Sequence, residues 1–155
     1  MRYDQLAAEA ARAEQPGRGQ RTDLMAEALV VDRFDQLIAD DRIPVAHRAL
    51  WAMLWNGGVR ITDALSLDVR DFDLGHGSIT LGYPKLESDE RVILLDVAAA
   101  ALVREAAGGR PDGPLLVVNA RALSRNAAMR AARDLAGTSI HAFRVGGRKA
   151  REAKI

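Results

Sequence analysis

The chain reads as a mainly helical α+β domain that carries one small antiparallel β-hairpin. Apolar residues recur at three- and four-residue spacing over most of its length, as amphipathic helices require. Two short runs near the middle, Ser78-Ile79-Thr80-Leu81-Gly82-Tyr83 and Arg91-Val92-Ile93-Leu94-Leu95, alternate instead and predict paired strands. Glycine and proline punctuate the segments between. At 155 residues the chain is one domain of ordinary size, long enough to bury a real core. It divides into an arm and linker over residues 1–21 and a folded domain over residues 22–155.

Taken in order, residues 3–14 form an Ala-rich segment of high helix propensity with little apolar face. Pro16-Gly17-Arg18-Gly19-Gln20-Arg21 breaks it as a basic linker. Thr22 or Asp23 can cap the next helix, whose stripe holds Leu24, Ala28, Val31, Phe34, Leu37 and Ile38. Pro44 suits the first turn of a third helix, which runs through Ala49-Leu50-Trp51-Ala52-Met53-Leu54-Trp55 and stops at Gly57-Gly58. Arg60 follows at once in apolar surroundings, and Ile61, Ala64, Leu65 and Leu67 restart a short helix. A buried guanidinium needs an anion. Arg60 therefore either pairs with Asp63 or Asp71 or faces a ligand phosphate.

The two alternating runs are joined by a polar turn, Pro84 to Glu90, which holds Lys85. Val97 to Ala107 is an Ala-rich helix closed by Gly108-Gly109, with Pro111 beyond, and Leu115-Leu116-Val117-Val118 is a short buried run. Ser124 caps a helix to about Leu135 that presents a narrow face of Ala127, Ala128, Ala131, Ala132 and Leu135. Arg125, Arg130 and Arg133 lie elsewhere on it, and Gly137 stops it. His141 to Lys149 is one more turn or helix, interrupted at Gly146-Gly147.

Composition excludes several classes. There is no cysteine, so neither a disulfide framework nor a thiolate metal site is available, and nothing implies a metal or cofactor. The charged N-terminus lacks the apolar core of a signal peptide, and no apolar stretch is long enough to span a bilayer, so a cytoplasmic location without a membrane partner is expected. Net charge is +1, but it is unevenly spread. Residues 1–120 hold 13 Lys and Arg against 19 Asp and Glu, whereas residues 121–155 hold 9 against 2. Such a basic end is the footprint expected of a surface that meets a polyanion.

Gly58-Val59-Arg60-Ile61-Thr62-Asp63, then Leu65, Leu67 and Asp71-Phe72-Asp73, resembles the first box of the tyrosine recombinases (phage integrases). Lys85 stands in the hairpin turn where that family places a lysine, and His141-Ala142-Phe143-Arg144 resembles its second box, his-x-x-arg. The resemblance runs from about Ala26 to Arg144. It implies a fold like that family's catalytic domain, preceded here by only a helix and a basic linker. It also implies that Arg60 and Arg144 grip the non-bridging oxygens of one DNA phosphate, that His141 is a third contact, and that Lys85 is the general acid.

The family's nucleophile is a tyrosine several helical turns past the second box. Here the eleven residues after Arg144 contain none, and the only tyrosines are Tyr3 and Tyr83. The implied site is a remnant cradle, Arg60, Lys85, His141 and Arg144, that binds double-stranded DNA without cutting it. The expected protein is a sequence-specific transcriptional repressor of the bacteriophage-immunity or mobile-element type, acting as a monomer or homodimer. The alternative is a truncated recombinase, active only with a nucleophile supplied in trans. Base reading falls to the Ser124–Leu135 helix through Arg125, Asn126, Arg130 and Arg133, since Arg and Asn make bidentate contacts to guanine and adenine. Arg121, Arg148, Lys149 and Arg151 complete the expected DNA-binding set. Two further readings stand beside these. Asn126 to His141 also has the outline of a helix-turn-helix with its glycine in the turn, and an interaction module without DNA is the plainest of all.

Overall fold

The computed structural model describes residues 29–57, 59–82 and 91–153. The expected helix over 3–14, the basic linker, the caps at Thr22 and Asp23, both tyrosines and Lys85 lie outside them.

The molecule is built around one helix. α1 (Val31–Ala39) leads to α2 (Val45–Asn56), in which every residue from Ala46 to Leu54 is buried. A helix buried on all sides has to sit inside its neighbours. α2 packs against α1, a one-turn α3 (Ile61–Leu65), α4 (Val97–Ala107) and α6 (His141–Ala153). Pro44 is the residue just before α2, with φ −53°, and needs no N–H there. Gly57, at φ +86°, turns the chain out of α2 in a conformation that side-chained residues avoid.

Aromatic stacking fixes the helices on α2. Phe34 of α1 stacks on Trp55 at 4.0 Å between ring centres, and Phe143 of α6 stacks on Trp51 at 5.0 Å. Phe34 and Phe143 then meet edge to face at 6.4 Å, so three helices close on one another through four rings. Such pairs add about 0.5–1.5 kcal/mol each beyond the area they bury. The glycines of α6 do not interrupt it. The helix is continuous through Gly146-Gly147, which lie against the Leu29 backbone and the Trp55 carbonyl. Two residues without side chains mark the closest approach of α6 to α2, not a break.

The expected hairpin forms, but it belongs to a three-stranded antiparallel sheet. β1 (Phe72–Asp73) pairs with β2 (Ser78–Leu81), and β2 pairs with β3 (Arg91–Leu94), with Ile79 opposite both Phe72 and Ile93. Ile79 and Phe72 are buried and tie the sheet to the helical core. The Leu115–Val118 run splits in two: Leu115 and Leu116 are buried, and Val117–Val118 (β4) pairs with Arg121–Ala122 (β5) in a second, two-stranded hairpin. α5 (Arg125–Ala136) begins where the sequence places it, with the Ser124 hydroxyl accepting from the Ala127 N–H and Gly137 closing it at φ +69°. The fold is thus mainly helical with small antiparallel sheets. Among the described residues no helix is long and apolar enough to cross a membrane, and no cluster of His, Asp and Glu is set to hold a metal.

Candidate nucleic-acid interface

Residues near the ends of four helices meet at one open pocket of about 250 Å³. Leu54 of α2 forms its apolar wall, Arg60, Ile61 and Thr62 come from the start of α3, Arg125 from the start of α5, and Ile140, His141 and Arg144 from the start of α6. Each is placed by a local rule. Arg60 is the residue before α3, in extended conformation at ψ 157°, so its side chain leaves the helix end instead of lying along it. His141 and Arg144 are three apart on α6 and share a face. Ala142 and Phe143 between them are buried, and the Trp51 stack holds that register.

The pocket is cationic without local compensation. Three arginines line it and no carboxylate does. Among the described residues, Arg60, Arg125 and Arg144 take part in no ion pair. Neither carboxylate expected as a partner pairs with Arg60 among the described residues. Asp71 accepts from the Asp68 N–H at 2.8 Å, as half of a capping box around the turn at Val69–Asp71, and Asp63 makes no bond to Arg60. Arg60 is exposed and not buried. The buried guanidinium of this region is Arg48, which donates to the Ile43 and Ile38 carbonyls at 2.8 and 3.4 Å.

The starts of α5 and α6 both open on the pocket, and helix N-termini carry partial positive charge. Planar guanidiniums, an imidazole and the Thr62 hydroxyl around a small concavity suit an oxyanion with several acceptor oxygens.

Other expected contacts spread away from this point. Asn126, Arg130 and Arg133 are exposed along α5 but do not line the pocket, and Arg133 pairs with Asp134 at 3.5 Å. Arg121 is exposed at the start of β5. On α6, Lys149 is exposed, Arg148 stands 4.0 Å from Glu152, and Arg151 donates to the Trp55 carbonyl at 2.5 Å. That last bond satisfies an orphan carbonyl at the end of α2. Lys85 lies outside the described residues. The motifs assign no place in the cradle to Thr62, Ile140 or Leu54, because a pocket wall assembled from four segments leaves no pattern in any of them.

No family model and no curated protein sequence matches the chain. Among solved structures, it is similar to the crystal structure of XerA recombinase, with a TM-score of 0.70 at 20% sequence identity, over 90% of this chain and 52% of that one. The fold is recombinase-like. The chain spans about half the length of that structure.

Proposed function

We propose that this chain binds double-stranded DNA through its arginine pocket and does not cut or join it. The observation that carries this reading is the convergence of Arg60, Arg125, His141 and Arg144 on one pocket lined by no carboxylate. A DNA phosphate is the abundant ligand with matching charge and oxygen geometry. The recombinase-like fold supports the same reading. Phosphate contacts give affinity and register, so sequence preference falls to the exposed stripe of α5 and to DNA shape. A repressor derived from a recombinase would need no more of the site than this grip on DNA.

The test uses the pocket's own arginines. Arg60→Ala and Arg144→Ala should each weaken binding to native-locus and random duplexes alike, by roughly 1.5–3 kcal/mol per lost charge-assisted contact. Arg60→Ala, at an exposed position, should melt within about 0.5 kcal/mol of the parent, as surface changes do, and a melt of Arg144→Ala reports folding separately. Unchanged affinity in both would remove the pocket from DNA binding. Incubation with a nicked suicide duplex, followed by a denaturing gel, should yield no protein–DNA adduct. A covalent band lost in Tyr3→Phe or Tyr83→Phe would make the chain a recombinase.

A further inference from the structure

We propose that Arg125 is a third phosphate ligand of the pocket and not a reader of bases. This rests on the DNA-binding reading above and assigns a role within it. Two observations separate Arg125 from the other polar residues of α5. The first is angular. Asn126, Arg130 and Arg133 are spaced by four and three residues and form one stripe, exposed along its length. Arg125 precedes that stripe by one residue, about 100° round the helix, and shares the side of Ala128 and Ala132. Both alanines are buried while Met129, on the other flank of Arg125, is exposed, so Arg125 stands at the edge of the packed face and outside the exposed stripe. Arg125 is exposed at the first position of the helix, where the edge of the packed face meets the pocket.

The second observation is the company it keeps. Arg125 lines the pocket with Arg60 and Arg144, and none of the three has an ionic partner among the described residues. Three guanidiniums around one concavity repel one another until an anion enters. A base edge would leave that repulsion standing, whereas a phosphodiester oxygen relieves it. Each guanidinium offers several N–H groups in a rigid fork, and a phosphate offers oxygens on more than one side. The contact is therefore independent of sequence.

The experiment compares full-length Arg125→Ala, Arg125→Lys and Arg130→Ala on two probes, random-sequence duplex and a pool of randomised duplexes from which bound sequences are selected. Arg125→Ala should lower affinity for random duplex by about tenfold or more. It should reduce the steepness of the salt dependence by about one phosphate's worth and leave the selected sequence profile unchanged. Arg125→Lys, which keeps the charge and loses the fork, should recover part of the affinity. Thermal melts of each variant report folding separately. Arg125→Ala binding random duplex as tightly as the parent, or relaxing the selected profile at one base pair with the salt slope intact, overturns the assignment alone. A parent chain that binds neither probe overturns the DNA-binding reading along with it.

Discussion

His47 sits inside the fold, and among the described residues neither its Nδ1 nor the Nε1 of neighbouring Trp51 has a hydrogen-bond partner; the two rings are 6.2 Å apart. Burial disfavours the imidazolium and lowers the His47 pKa from 6.5 to about 4. Between those values the unfolded chain takes up a proton that the folded chain refuses. The His47 contribution is therefore fully present above pH 6.5 and is lost as pH falls towards 4, a swing of about 3 kcal/mol. Denaturant melts of the parent and of His47→Leu across that range should diverge, with the variant showing the shallower loss on acidification. Parallel curves would mean that the imidazole reaches water or a proton acceptor in the folded state. Two arginines nearby show how far sequence can locate a buried charge. Sequence alone marks Arg60 as the costly guanidinium, because it follows an apolar helix. The fold instead exposes Arg60 on the pocket and buries Arg48 in the first turn of α2, where the Ile43 carbonyl accepts from it at 2.8 Å. An apolar neighbourhood in sequence does not say which polar side chain points inward. Arg48→Met should cost about 1–3 kcal/mol by leaving buried carbonyls unpaired, and Arg60→Ala almost nothing, in the same melts.

The helices are legible from their apolar spacing and caps, Ser124 and Gly137 of α5 above all. How one helix meets another is not. Gly146-Gly147 suggests a break, because glycine weakens a helix by about 1 kcal/mol relative to alanine. Packing reverses that expectation. A Cβ at Gly147 would overlap the Trp55 carbonyl, and one at Gly146 the Leu29 carbonyl, so α6 reaches α2 only without side chains there. Gly147→Ala should therefore destabilise the chain despite its better propensity, by about 1–3 kcal/mol as overpacking does. A variant as stable as the parent would show that α6 can move off α2 freely. DNA binding should fall with it, because the same helix carries His141 and Arg144 into the pocket. The small hairpin of β4 and β5 is equally hidden. Its two-residue turn, Asn119-Ala120, has φ of +53° and +63°, and alanine gives no hint of such a turn. Ala120→Gly should stabilise the chain, since a side-chained residue in this region costs roughly 1–2 kcal/mol; a lower melting temperature would count against the turn.

Across the whole molecule, the uneven charge of the sequence becomes a question of which cations are free. Several in the basic end are not: Arg151 caps α2, Arg133 pairs with Asp134 and Arg148 approaches Glu152. Arg60, Arg121, Arg125, Arg130, Arg144 and Lys149 have no ionic partner among the described residues. Arg60 joins this set from the acidic part of the chain, so it is the fold that brings it to the basic side. The motifs make Arg60, His141 and Arg144 legible as a group, but they do not reveal that Arg125 stands with them, because that depends on where the packed face of α5 ends. The free cations set a measurable scale. Each phosphate neutralised releases counterions and adds about 0.9 to the slope of log K against log salt. The three pocket arginines alone give a slope near −3, and these six cations together near −5, by the same relation. Titrating duplex DNA at several salt concentrations should place the parent chain between about −3 and −5. Replacing Lys149, which does not line the pocket, by Glu should lower the slope by about one if it meets the backbone, leaving the pocket contribution in place. Replacing Arg151 by Gln should change melting more than slope, because its guanidinium is engaged with the Trp55 carbonyl. A slope near zero would mean that the basic side of the molecule does not meet DNA at all.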